Sequence, residues 1–220
     1  MNWLPTAPLL RWAVLGALAL VLVGGIVGAG WAWFNAQETR AREAFAVAVE
    51  AVQQAQPPAA GASGPAPAPE ARARAIAALE SVLAQHPRAG VVPQAAYQLG
   101  NLRYADGQYA QARGAFEVAI AGGATGNLKA LCALGVAYTW EAEKSLAKAQ
   151  TAYEAALAGR GPKDFLFEEL LIDLARVQEF GGHPQSALAT YERLLKDAPE
   201  SRRADDIRSR IATLKSTEKK

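Results

Sequence analysis

Hydrophobic residues form one long unbroken stretch near the N-terminus, and beyond it they recur at the spacing of a helix. Residues 12–34 contain no charged side chain. A helix of this length covers about 34 Å, which is enough for a hydrocarbon core of about 30 Å. After residue 34, apolar positions return every three or four residues, as is typical of amphipathic helices. The pattern predicts an all-α chain, with a single N-terminal transmembrane helix at 12–34 followed by packed helices.

Two segments separate the apolar stretch from the later helices. Residues 35–56 predict a juxtamembrane helix, because Phe45, Ala48 and Val52 contribute to an apolar stripe at helical spacing. Residues 57–69 are rich in proline, alanine, glycine and serine, and this composition predicts a flexible loop without secondary structure. We interpret the loop as an insertion between the two helices of an atypical first pair.

Between Leu99 and Pro199 the helical spacing acquires a longer period. A Leu-Gly or Leu-Ala pair, a turn, and an alanine four residues before an aromatic residue recur three times. The copies contain Leu99-Gly100 with Ala112 and Phe116, Leu134-Gly135 with Ala149 and Tyr153, and Leu174-Ala175 with Ala187 and Tyr191. The second copy carries two extra residues around positions 141–145 and lacks the glycine of the other turns. Such repetition indicates stacked helix pairs whose curved surface binds other polypeptides.

These residues resemble the tetratricopeptide repeat family, whose pattern of small and aromatic residues extends over about 34 positions. The resemblance covers residues 70–200 and implies an α-solenoid of helix pairs, closed by a capping helix and basic tail at 201–220. It also implies that the first helix of each pair lines a concave, partner-binding face. Projected onto this chain, that face comprises Tyr97, Asn101, Tyr104, Lys129, Val136, Thr139, Trp140, Arg176, Glu179 and Phe180. In an alternative interpretation, Trp140 and Phe180 pack against the next helix pair.

The order of segments is similar to the YfgM-like group of membrane-anchored periplasmic repeat proteins. That group is associated with the secretory translocon and with periplasmic chaperones. The resemblance implies protein–protein interactions with such partners, or with other envelope complex subunits, on the periplasmic side of the inner (cytoplasmic) membrane. The implied role is a chaperone-like or scaffold accessory factor of a secretion or envelope complex. The alternative is a structural accessory subunit built permanently into one membrane complex.

Aromatic residues flank the predicted span where the two headgroup regions would lie. These membrane-interface residues are Trp3 and Trp12 at one end and Trp31, Trp33 and Phe34 at the other. Arg11 and the amino terminus favour a short cytoplasmic N-terminus at 1–11 and export of the bulk of the chain to the periplasm. The rival interpretation is a cleaved signal peptide, because the residues at 30–32 loosely fit a cleavage site.

Within the span, Gly24 and Gly28 form a small-xxx-small pair. Such pairs let two transmembrane helices approach closely, so the sequence predicts that the anchor could form a homodimer. The alternative is plain tolerance of glycine, which is common in membrane helices.

Charge and rare residues mainly exclude function classes. The chain has 23 basic and 21 acidic residues in close mixture, for a net charge of +2, so no clustered basic face predicts nucleic-acid binding. Cys132 is the single cysteine, which excludes an internal disulfide and a zinc site built from cysteines. His86 and His183 each precede a proline and have no second ligand at metal-site spacing. We therefore expect no catalytic residues, no cofactor and no metal, and the chain is predicted not to be an enzyme.

Overall fold

The computed structural model describes residues 7–56 and 69–217, and within these ranges every regular element is an α-helix. The elements are α1 (Ala7–Ala55), α2 (Pro69–Gln85), α3 (Val92–Ala105), α4 (Tyr109–Ala121), α5 (Gly126–Ala142), α6 (Leu146–Leu157), α7 (Phe167–Phe180), α8 (Pro184–Asp197) and α9 (Ala204–Thr217). This confirms the all-α prediction. Trp3 and the predicted loop up to residue 68 lie outside the described residues.

Helix α1 combines the predicted span and the juxtamembrane helix in one continuous element of 49 residues. Its N-terminal part is exposed, and its most apolar window is nowhere buried inside the protein. Its C-terminal part packs against α2 through the buried residues Ala48 and Val52. By length and composition alone, α1 is able to cross a membrane. The helix does not break between residues 34 and 35, so the apolar stretch and the first packed helix are one element.

Consecutive helices pack against one another along the whole described chain, as expected for a solenoid of helix pairs. The pairs are α1–α2, α3–α4, α5–α6 and α7–α8, and α9 packs on α8. The first helices of neighbouring pairs also meet, because α3 contacts α5. Buried alanines, such as Ala95, Ala112 and Ala149, let the helices approach closely, while Ile207 and Leu214 of α9 close the end of the core.

The ring of Phe116 fills the space where α3, α4 and α5 meet, and only 2% of this residue is exposed. A Cβ atom added to Gly100 would lie 2.5 Å from the ring, and one added to Gly135 would lie 2.7 Å from it. Both distances are shorter than any carbon–carbon contact allows. Glycine at these two positions therefore lets the backbones of α3 and α5 close on the ring from either side.

The second repeat differs from the predicted register. The turn between α5 and α6 has the same length as the turn between α3 and α4. Lys144 takes the left-handed conformation there (φ 59°), as Gly107 does in the first repeat (φ 74°). The two extra residues therefore lie inside α5 and not in the turn. Counted back from the turn, Val136, and not Leu134, occupies the position of Leu99.

Cys132 lies on α5 and is completely buried. Burial raises the pKa of its thiol to about 11. Because the thiolate is the reactive form and the sulfur is also inaccessible, we expect a thiol reagent at pH 8 to label the native full-length chain in detergent at least about 100-fold more slowly than the denatured chain. A thiol assay with and without urea tests this. Rapid labelling of the native chain would contradict the packing of α5.

Candidate functional site

The first helices of the pairs form one continuous inner surface. Helix α3 contacts α5 directly, and polar side chains join α5 to α7. Tyr138 of α5 donates a hydrogen bond from its hydroxyl to the carboxylate of Asp173 at 2.9 Å. Arg176 of α7 reaches back to the carboxylate of Glu141 on α5. This surface is where a solenoid of helix pairs presents residues to a partner.

Glu141, Tyr153 and Arg176 form a polar unit that holds α5 against α7. We call such a junction between the first helices of neighbouring pairs, or between α7 and α9, a step. Glu141 accepts a hydrogen bond from the Tyr153 hydroxyl at 2.9 Å and one from Arg176 at 3.1 Å. Arg176 also donates to Asp173 at 2.8 Å. Burial, together with the charges of Asp173 and Glu141, raises the pKa of Tyr153 far above its ordinary value. The hydrogen bond to Glu141 is the main cause of the raised pKa of Arg176. These charges are satisfied within the chain and stabilise the step.

The same unit recurs one repeat later, between α7 and α9. Glu179 accepts a hydrogen bond from the Tyr191 hydroxyl at 2.9 Å and another from Arg210 at 3.0 Å. In both units the tyrosine lies 12 residues after the glutamate. The later steps of the solenoid are therefore closed by equivalent side chains.

The step from α3 to α5 lacks this unit. Phe116 takes the place of the tyrosine and has no hydroxyl, and the residue 12 positions before it is Tyr104 instead of a glutamate. On α5, Tyr138 occupies the position that Arg176 occupies on α7. The inner surface consequently opens here into a cleft of about 350 Å³. Its lining residues are Tyr104, Tyr138, Glu141, Ala142, Lys144 and Arg176.

Side chains around the cleft combine aromatic faces with cations. Tyr104 is 37% exposed, and its ring centroid lies 5.3 Å from that of Tyr109. Burial, then the neighbouring Tyr109 and Glu141, raises the pKa of the Tyr104 hydroxyl, so it stays protonated as a donor at neutral pH. Lys144 is exposed and forms no ion pair with another described residue. An exposed tyrosine and an unpaired cation suit a peptide segment, because they supply contact area and donors to carbonyl oxygens.

Several predicted concave residues do lie along this surface. Asn101 and Tyr104 are exposed on α3, and Arg176 and Glu179 lie in the polar units of α7. Phe180 does not pack against a further helix pair, because 65% of it is exposed. Tyr97 is half-buried, with its ring centroid 6.1 Å from that of Phe116, and Lys129 is exposed near the start of α5.

Three predicted residues of α5 point elsewhere. Thr139 is fully buried, and its hydroxyl donates to the Val136 carbonyl at 2.7 Å. Val136 itself packs in the core around Phe116. The Trp140 ring lies between second helices, with the Arg113 guanidinium of α4 at 3.4 Å and the Lys148 ammonium of α6 at 4.4 Å. The prediction of these positions was wrong because the two inserted residues rotate the helical face by about 200°.

Sequence reasoning missed four residues that line the cleft: Tyr138, Glu141, Ala142 and Lys144. For Tyr138 and Glu141 a signal was present in the sequence. Glutamate precedes the aromatic position by 12 residues in the second and third repeats, which gives the correct register for α5. Among the described residues, no group of three or more His, Cys, Asp or Glu side chains is placed to hold a metal ion.

Alkaline pH is expected to weaken the polar units. The folded chain keeps the hydroxyls of Tyr153 and Tyr191 protonated because burial and carboxylates raise their pKa values, whereas in the unfolded chain they ionise near pH 10. Their contribution to stability is therefore constant below about pH 10 and is lost as pH rises above it. We expect the urea midpoint to fall less steeply between pH 9 and 11 in Tyr153→Phe than in the unmodified chain. Tyr109→Phe is the matched control. Equal pH slopes of the urea midpoint in Tyr153→Phe and in the unmodified chain would show that the Tyr153 hydroxyl does not contribute in this way.

Comparison with known proteins agrees with this architecture. Residues 169–201 match the family model described as tetratricopeptide repeat. The fold is similar to that of a putative kinesin light chain of Podospora anserina with nearly identical TPR-like repeats, at 15% identity and a TM-score of 0.57, over 82% of this chain and 87% of that one. It is also similar to YrrB, described as a TPR protein with an unusual peptide-binding site, at 15% identity and a TM-score of 0.51, over 68% and 71% of the two chains. No curated protein matches the sequence.

Proposed function

Because the chain folds as a solenoid of tetratricopeptide repeats, we propose that it is a membrane-anchored protein that holds a segment of a protein partner in the cleft lined by α3, α5 and Arg176 of α7. The apolar part of α1 serves as the anchor. The repeats face the periplasm, where the chain acts as a chaperone-like or scaffold accessory factor of a secretion or envelope complex.

One observation carries the proposal. The α5–α7 and α7–α9 steps are closed by internal hydrogen bonds to Glu141 and Glu179, whereas the α3–α5 step presents Tyr104 and Lys144 to solvent. Tyr138 is hydrogen-bonded to Asp173, but a purely structural solenoid gains nothing from leaving an exposed tyrosine and an unpaired cation beside an open cleft. The likeness to YrrB, whose description names a peptide-binding site, supports an occupant of the same chemical class.

Photo-crosslinking in native membranes tests the proposal. A photoreactive amino acid replaces Tyr104 in the cleft, and the same amino acid replaces the exposed Glu154 of α6 as a matched control. We expect a discrete protein adduct from position 104 and none of comparable yield from position 154. Equal adducts from both positions, or none from position 104, would contradict partner binding in the cleft. An adduct only to a stoichiometric neighbour that copurifies in detergent would instead support a fixed structural subunit.

Topology needs a separate experiment. Alkaline phosphatase fused after Lys220 is expected to be active, because the enzyme folds only on the periplasmic side. Resistance of the chain to alkaline carbonate extraction should accompany that activity if α1 is a retained anchor and not a cleaved signal peptide. An inactive fusion would place the repeats in the cytoplasm. Dimerisation of the anchor through Gly24 and Gly28 stays a prediction.

A further inference from the structure

A second cleft, of about 440 Å³, lies where α1 passes the turn between α2 and α3. Trp33 and Phe34 of α1 form its apolar side, and both side chains are exposed. His86 and Arg88 of the turn line the opposite side. Phe34 is the last residue of the predicted span 12–34, and the first charged residue after it is Glu38. When α1 spans a bilayer, the cleft therefore lies at the level of the lipid headgroups.

The turn is held against α1 by Glu38. Its carboxylate accepts a hydrogen bond from the Gly90 backbone amide at 3.1 Å and another from Arg42, one helical turn further along, at 3.1 Å. Because α1 is continuous from the apolar stretch to this contact, the hydrogen bond to Gly90 sets the height of the turn above the membrane. The height of the cleft relative to the membrane is therefore set by α1.

The charge of the cleft is not balanced internally. The negative charge of Glu38 is compensated by Arg42 and by the Gly90 amide. Arg88 is exposed and forms no ion pair with any residue that the structure describes. A guanidinium without an ion-pair partner, in the same cleft as two aromatic side chains at the membrane surface, suits a phosphate ester attached to an apolar tail.

We infer that this cleft binds the headgroup of an anionic phospholipid of the leaflet in which α1 ends, with the phosphate at Arg88 and the acyl region beside Trp33 and Phe34. The inference rests on the proposed anchoring of α1. Lipid binding at this point holds the first helix pair on the bilayer and fixes the direction in which the inner surface of the solenoid faces.

Cysteine protection in lipid nanodiscs tests the inference with the full-length chain. The chain carries Cys132→Ala and a single new thiol, Gln85→Cys in the cleft or, as a control site, Glu154→Cys on α6. An uncharged maleimide measures the labelling rate in discs of phosphatidylcholine and in discs containing 30% phosphatidylglycerol. We expect the anionic lipid to slow labelling of Gln85→Cys by about fivefold and to change that of Glu154→Cys less than twofold.

Charge variants assign the effect to Arg88. The protection should fall below twofold in Arg88→Gln and persist in Arg202→Gln, which removes an equal charge from the exposed turn before α9. Equal labelling of Gln85→Cys in both lipids, with the chain still resistant to carbonate extraction, would overturn the inference and leave the anchor in place. Equal protection by free inorganic phosphate in phosphatidylcholine discs would also overturn it. Extraction of the chain by carbonate would contradict the anchoring proposal itself.

Discussion

Replacing Phe116 with alanine is expected to lower the free energy of unfolding by about 3–5 kcal/mol. The ring is almost fully buried, and Gly100 and Gly135 leave room for it on both sides. Removing the ring opens a void between three helices that the glycines cannot fill. The α3–α5 step also lacks the polar unit that supports the later steps, so this ring is its main contact.

Urea unfolding of the full-length chain in detergent, followed by far-UV circular dichroism, measures the loss. Val118→Ala is the matched control, because Val118 lies on the same helix and is 45% exposed. Its expected loss is within about 0.5 kcal/mol. A loss below about 1 kcal/mol for Phe116→Ala would mean that the ring does not join α3 to α5.

Replacing Arg176 with alanine is expected to lower the free energy of unfolding by about 2–3 kcal/mol, the second largest effect. The substitution removes the cation that the carboxylates of Glu141 and Asp173 share. We place the loss below that of a fully buried pair because 35% of the Arg176 side chain is exposed and solvent screens part of the interaction.

Arg210→Ala provides the internal comparison for this prediction. Arg210 pairs with Glu179 in the equivalent unit, but half of its side chain is exposed, at 50%, and it binds a single carboxylate. Its expected loss is at most about 1 kcal/mol. Equal losses of unfolding free energy for Arg176→Ala and Arg210→Ala in the same urea experiment would contradict the expectation that the less exposed arginine contributes more to stability.

Much of the fold was predictable because its determinants are local. Alanine four residues before an aromatic residue predicted which residues fill the core, and Phe116, Tyr153 and Tyr191 are all buried. The charge-free stretch predicted a helix long enough to span a membrane, and α1 has that length. The continuity of α1 has the same local origin, because residues 31–56 contain no proline or glycine that would break a helix, and α1 passes residue 34 without interruption.

The candidate site was harder to predict because it depends on register. Leu134-Gly135 imitates the Leu-Gly pair of the first repeat, so the pattern assigned Val136, Thr139 and Trp140 to the inner surface. The two extra residues that separate this pair from its turn reverse that assignment and bring Tyr138 and Glu141 inward. An insertion inside a helix leaves no composition signal, and in this sequence only the 12-residue spacing from glutamate to tyrosine in the second and third repeats reveals it.

The most direct test of partner binding is to fill the cleft. Ala142 lines it, and Ala142→Trp projects an indole into the space beside Tyr104, whereas Ala155→Trp places the same side chain on the exposed side of α6 as a control. The measured quantity is the yield of the protein adduct from the photoreactive group at position 104 in native membranes. We predict at least about a tenfold loss of yield in Ala142→Trp, equivalent to about 1.4 kcal/mol of binding free energy, and less than a twofold change in Ala155→Trp. An undiminished adduct in the Ala142→Trp chain, with the chain folded and membrane-bound, would contradict the account.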